Sequence, residues 1–216
     1  MSSEIKSTTV QTNSLKDKTG TRTLASDSGS AWSWGSSVPK GSVIEQFISP
    51  CDGSSITVQS GTYTVQTVST VQDLDQPSYS DVLGSVIDYT PPTGTQTVLY
   101  NYNFLYSLEN THNIAHFRLY LDNDSGTATE VTNFRTSLGA DGWLEGRYSI
   151  NWAFHIGGSD NDATGRRDTW TSARTIKLQA REYHSGNQSK LNQTYYWDGG
   201  AGSQFSQPVI GITALA

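Results

Sequence analysis

The stretch Thr97-Val98-Leu99-Tyr100-Asn101-Tyr102-Asn103-Phe104-Leu105-Tyr106 decides how the rest of the chain is read. With the two-residue period of an extended strand, Val98, Tyr100, Tyr102, Phe104 and Tyr106 share one side, and Thr97, Leu99, Asn101, Asn103 and Leu105 share the other. A side that aromatic is not left in water, so this strand lies against a second sheet, a neighbouring subunit or both.

Working outward, residues 147–156 repeat the pattern, with Tyr148, Ile150, Trp152, Phe154 and Ile156 on one side. The rings of the two strands, Tyr100, Tyr102, Phe104, Tyr148, Trp152 and Phe154, are expected to build an aromatic core or a trimer interface. Further strands are expected at 43–48, in a hairpin of 55–59 and 62–68 turned at Ser60-Gly61, and at 82–89, stopped by Pro91-Pro92. Others follow at 113–122, 130–135, 175–182 and 193–198. The apolar end, 208–216, would fray at a rim, so it belongs inside a sheet. About eight to ten short strands without a helical period define an all-β chain, a jelly-roll sandwich with an extended N-terminal arm.

Composition agrees. Only 16% of residues are charged while 11% are aromatic, a mixture suited to strands and tight turns. The net charge is -6, but residues 1–40 carry five Lys/Arg against three Asp/Glu, so the acidity belongs to the body. An acidic body does not neutralise phosphates, which excludes nucleic acid as its partner. The first residues lack a basic-then-apolar leader, and no apolar run approaches the roughly 18 residues of a membrane span. A cytoplasm-like site of synthesis without membrane contact is expected. The single Cys51 allows no intrachain disulfide and sits in a Pro-Cys-Asp-Gly turn, where a structural role is expected. The sequons at Asn123, Asn187 and Asn192 are expected to be idle.

Residues 1–40 are thin in apolar side chains: Ile5, Val10, Leu15, Leu24, Trp32 and Trp34, separated by Ser- and Gly-rich joints. Their spacing fits neither a helix stripe nor a strand face, so the segment is expected to be an arm that cannot fold alone and anchors to a larger assembly through those residues. Residues 41–216 form the head.

Candidate chemistry is sparse. On a strand His112 and His116 lie about 13 Å apart, too far to share a metal ion, and His116 or His155 reads as a structural histidine near a symmetry axis. Residues 160–168, Asp-Asn-Asp-Ala-Thr-Gly-Arg-Arg-Asp, imitate the start of a calcium loop but lack its closing Glu; a solvated loop with Arg166 and Arg167 paired to its own aspartates is expected. There is no Gly-x-Ser-x-Gly elbow and no nominated carboxylate pair, so neither an enzyme nor a cofactor is expected. Trp143, Tyr196 and Trp197, beside Asn and Asp, are candidate glycan contacts, against the alternative that the Tyr-Tyr-Trp side is core or interface.

The stretches 114–117, 169–181, 193–199 and 209–214 resemble virion structural proteins of marine tailed bacteriophages, especially cyanophages, and 4–24 resembles the N-terminal segments of such fibre-like proteins. The strand order resembles that of tumour-necrosis-factor-like trimers. This resemblance implies a homotrimeric, non-enzymatic virion component, assembled in the host cytoplasm. The arm would join it to capsid, collar or tail proteins as a fibre or decoration, with the host surface as a further contact. The alternative is a lectin-like module that binds a host surface glycan.

Overall fold

The computed structural model describes residues 39–76, 78–108, 113–140, 144–184, 189–198 and 200–216, with three short segments at 14–16, 23–27 and 31–34. Those segments are β1 (Ser14–Lys16), β2 (Thr23–Asp27) and β3 (Ala31–Trp34), which pair in order as a small antiparallel sheet. Then come β4 (Val43–Pro50), the hairpin β5 (Ser55–Val58) and β6 (Gly61–Thr64), and three short strands, β7 (Gln72–Asp73), β8 (Ser80–Asp81) and β9 (Ile87–Tyr89). The two longest neighbours in sequence are β10 (Thr97–Leu108) and β11 (Asn113–Asp122). After them run β12 (Ala128–Glu130), a 3-10 turn (Thr132–Phe134), β13 (Thr136–Ala140), β14 (Leu144–His155) and β15 (Arg174–Glu182). The chain ends with β16 (Ser189–Leu191), β17 (Gln193–Trp197), β18 (Gly200–Phe205) and β19 (Val209–Leu215).

The first main sheet runs β4-β19-β10-β14, with β16 and β7 extending the far end of β10. The second runs β9-β15-β11 and continues to β12 and β13, while β8 adds to β15. All these pairings are antiparallel, and the chain crosses from one sheet to the other between β4 and β9, β9 and β10, β10 and β11, β13 and β14, β14 and β15, and β15 and β19. Two six-strand sheets whose main strands are threaded in that order are a jelly roll. As its apolar sequence requires, β19 lies inside its sheet between β4 and β10.

The core forms where the two inner faces meet. Across the first sheet the register aligns Phe47, Ile212, Tyr100 and Trp152 in one row and Ser49, Ile210, Tyr102 and Ile150 in the next. From the second sheet Ala115, Phe117, Leu119 and Leu121 of β11 face them together with Ile176, Leu178 and Ala180 of β15, all buried. Phe104 meets Phe117 across the gap with ring centroids 5.7 Å apart, and Phe154 meets Trp170 edge-on at 6.0 Å. Of the two expectations for the rings, core or interface, these contacts bear on the first. Tyr100, Tyr102, Phe104 and Phe154 are sealed inside the single chain, leaving no ring surface for a subunit interface, whereas Tyr148 and Trp152 are half-buried at the margin of the core.

A buried phenol needs a hydrogen-bond acceptor. Tyr100 donates to the Ser85 carbonyl at 2.8 Å, Tyr102 to the Leu83 carbonyl at 2.5 Å, and Tyr106 to the Leu138 carbonyl at 3.2 Å. This explains why 82–89 is not one strand. Residues 82–86 form a turn whose carbonyls are aimed into the core, and pairing resumes only at β9. Gly84 permits the turn: its φ is +89°, and an added Cβ would stand 3.0 Å from both Cys51 Sγ and Val68 Cγ2. Likewise 130–135 is interrupted by the 3-10 turn, which buries Phe134 edge-on against Trp152.

The first 40 residues also depart from expectation, because they contain strands. The register sets Leu15 opposite Leu24 and Leu24 opposite Trp34, so three apolar positions share one row. No strand period shows in the sequence because the row is assembled from three separate strands of three to five residues.

Replacing Phe104 with Ala is expected to cost about 3–5 kcal/mol, and Trp152→Ala less, since its ring is only half-buried. Chemical denaturation of the two variants checks the order; equal losses would contradict this account of the core.

Candidate functional site

The side of the first sheet that faces away from the core is built by the same alternation that buries the rings. Four rows cross β4, β19, β10 and β14: Pro50-Val209-Asn103-Ser149, Ile48-Gly211-Asn101-Asn151, Gln46-Thr213-Leu99-Ala153 and Val43-Leu215-Thr97-His155. None of these sixteen positions is Asp, Glu, Lys or Arg. Val43, Ile48 and Leu99 are 56%, 64% and 36% exposed, three of the chain's seven exposed large apolar side chains among the described residues. Gly211 floors a shallow open trough of about 540 Å³ between Ile48 and Asn101.

Polar side chains on this face hydrogen-bond one another. The Ser149 hydroxyl donates to Asn103, Asn103 to Asn101 and Asn101 to Asn151, while Thr97 Oγ1 and His155 Nδ1 lie 3.2 Å apart. The outward face of the second sheet is different in kind. There Arg118 and Arg181 flank the Tyr79 ring, Lys177 pairs with Asp81, and Glu130 pairs with Arg118 and Arg135. The second sheet's outer face is charged throughout, whereas on the first the charged side chains of β14, Glu145 and Arg147, stand at one end, beyond these four rows.

Ionisable groups elsewhere are bound into the fold. The buried Glu45 carboxylate accepts from the Ser60 amide at 2.7 Å, the Ser60 hydroxyl at 2.6 Å and the Tyr89 phenol at 2.8 Å. Buried Glu182 accepts the backbone N–H groups of Ile114, Tyr183 and Ser189. Sequence reading missed both. Their only signal was a carboxylate on the core-facing side of an alternating strand. His116 faces Ser137 and packs edge-on against Tyr183; burial and the nearby Arg181 lower its pKa. His155 and His184 are exposed on separate parts of the head, and His112 lies outside the described residues.

Around the loop at 160–168, Arg167 pairs with Asp162 at 2.8 Å, as expected, but no ion pair joins Arg166 to an aspartate among the described residues. Asp124, Asp160 and Asp168 bring carboxylate oxygens within 4.8 Å of one another, all exposed, with Arg174 paired to Asp124 and the Asp168 amide donating to Asp160. Of the candidate glycan contacts, only the side chain of Trp197 is described. Trp197 is 69% exposed near the β17–β18 turn, Tyr196 occupies the same strand, and Trp143 lies outside the described residues. Of the anchoring residues, Ile5 and Val10 also lie outside them, while Leu15, Leu24, Trp32 and Trp34 are placed on β1, β2 and β3. No described helix is long and apolar enough to cross a membrane.

Fold and surface together define a jelly-roll β-sandwich with one charged outer face and one that bears an uncharged four-row patch. No protein-family model matches the chain, and no curated protein matches it. Among solved structures it is similar to that of the infectious bursal disease virus Gx strain, with 11% identity and a TM-score of 0.37 over 89% of this chain and 41% of the other. It is similar also to the VP2 subviral particle of infectious bursal disease virus, at 11% identity and TM-score 0.27 over 76% and 47% of the two chains. The Gt strain structure gives 11% and 0.27 over 90% and 52%. The chain thus spans about half or less of the length of each, and its assignment as a jelly roll rests on strand order.

Burial raises the pKa of several core acids. Cys51, desolvated and beside the Asp52 carboxylate, is pushed up from 9.0 to about 12, and Tyr106, desolvated, from 10.0 to about 12. Burial likewise lifts Tyr100 and Tyr102 well above 10.0. Each of these groups holds its proton more tightly folded than unfolded. Their contribution to stability is therefore complete below about pH 9 and is lost as pH rises from 9 toward 12. Urea midpoints are expected to fall across that window, and Cys51 to resist thiol reagents at pH 8 until the chain unfolds. A folded chain labelled at once would remove the assignment.

Proposed function

We propose that this chain is a non-enzymatic structural subunit of a virus particle, its jelly-roll head assembling with copies of itself and its N-terminal segment attaching it to the particle. The observation that carries this reading is the sixteen-position outer face without a formal charge on a chain of net charge -6, a surface suited to contact between identical copies. The satisfied carboxylates Glu45 and Glu182 support the non-enzymatic part: each oxygen system is occupied by structural donors, not poised in a cleft. The stretches that resemble virion proteins of tailed phages support a place on such a particle as a fibre, collar or capsid-decorating component. The homotrimer is the stoichiometry that this resemblance implies. It no longer draws support from the aromatic rings, which the single chain buries.

Attachment through residues 1–40 is supported by the register of β1–β3, which sets three of the six apolar positions of the segment, Leu15, Leu24 and Trp34, in one row. Several copies tethered in one assembly would bind multivalently. A chain lacking residues 1–40 is expected to keep the self-association of the full chain but to stay in the supernatant when particles are sedimented. Co-sedimentation at full-chain levels would refute anchoring by this segment.

A second reading, a head that binds a host surface glycan, is favoured by one observation, the exposed indole of Trp197. On a glycan array the head is then expected to give signals that Trp197→Ala abolishes while its melting temperature is unchanged. An array without signals would exclude it.

A further inference from the structure

We infer that the outward face of the β4-β19-β10-β14 sheet is the surface on which a second copy of this chain docks. This rests on the self-association proposed above and assigns it to particular residues.

Charge is the first reason. Two copies of net charge -6 repel, and the repulsion is least when they meet on surface that carries no charge and leave their carboxylates at the periphery. The sixteen-position patch meets that condition and keeps Arg147 and Glu145 of β14 at its border; the outer face of the second sheet, with Arg118, Lys177, Arg181 and Glu130 across it, does not. The same fact selects the partner. A strongly charged partner would lose hydration of its charges against this face without gaining a counter-charge. An identical face brings none.

Shape and hydrogen bonding are the second reason. Ile48 stands 64% exposed beside the trough floored by Gly211, so an apolar knob and an open hollow lie next to each other on one surface, as contact between like surfaces requires. Where an added Cβ on Gly211 would sit, Ile48 Cγ1 is 3.0 Å away, so the glycine keeps both the hollow and the Ile48 side chain in place. The linked amides of Asn101, Asn103 and Asn151 each carry donors and acceptors, so two copies can satisfy one another in more than one relative orientation.

Extent is the third. Four strands about 4.8 Å apart and seven residues long at about 3.4 Å each span a plane of about 19 by 24 Å. That plane, about 460 Å² before side-chain relief is counted, makes up more than half of the ~800 Å² per partner that a stable interface buries. Three of the seven exposed large apolar side chains among the described residues, Val43, Ile48 and Leu99, lie on it.

The experiment measures the mass of the full chain by light scattering from one to a few hundred micromolar, beside Ile48→Lys, Leu99→Lys, Asn151→Arg and the opposite-face control Lys177→Glu, with circular dichroism reporting the fold of each. The full chain and Lys177→Glu are expected to be oligomers, and the three face variants to be folded and to associate at least tenfold more weakly. Ile48→Lys and Leu99→Lys sit at exposed positions on opposite sides of the trough; if either loses its β signal, Asn151→Arg decides. If folded face variants keep the full oligomer mass, this face is not the contact, although the copies still associate. If the unaltered chain keeps the mass of one polypeptide throughout, both this inference and the self-association on which it rests are overturned.

Discussion

The structure depends on burying one side of β10 without leaving its phenols unsatisfied. Val98, Tyr100, Tyr102, Phe104 and Tyr106 all point into the space between the sheets, and each is almost wholly removed from water. Burial of so many rings supplies much of the driving force for packing the sheets together. Three of the five bring a hydroxyl with them, and each hydroxyl dictates what may lie opposite. Carbonyls of Leu83, Ser85 and Leu138 fill that role, so a turn and an edge strand of the second layer are positioned by the aromatic strand of the first. A phenol without its acceptor would cost about as much as a lost buried hydrogen bond.

The same constraint determines the outside. Because side chains alternate along a strand, every residue of β10 that does not enter the core is presented on the opposite surface, and the neighbouring strands, in register, do the same. The inner rows carry rings and branched aliphatics; the outer rows carry Asn, Ser, Thr, Gln and a few exposed apolar groups. The second sheet shares the inner role but turns arginines, a lysine and carboxylates outward. Two sheets with equivalent interiors thus differ outside, one charged across its whole face and the other bearing an uncharged patch.

Buried polar groups hold the corners of the sandwich. Glu45 ties the β5–β6 turn, through Ser60, to Tyr89 of the second sheet, and Glu182 gathers the backbone at 114, 183 and 189 at one end of it. A carboxylate that accepts several charge-assisted hydrogen bonds is favourable in such a place, since its donors would otherwise lack partners. Neither residue belongs to a recognisable motif, which is why their roles emerge only from contacts between segments far apart in sequence.

The sequence by itself determined the fold class, the long strands at 97–108, 113–122, 144–155 and 174–182 to within a few residues, and the interior place of the last strand, because alternation of large apolar and polar residues is a local signal. It also determined that Arg167 would answer an aspartate of its own loop. Only the tertiary structure decided that the aromatic side closes on a second sheet of the same chain, since alternation says that a face is buried but not what buries it. Only it decided that 82–86 turns its carbonyls inward to reach tyrosines, and that Leu15, Leu24 and Trp34 hold opposed positions in the register of β1–β3. The uncharged surface is likewise a property of register: its sixteen residues come from four strands spread between positions 43 and 215, and nothing short of pairing those strands brings them onto one plane.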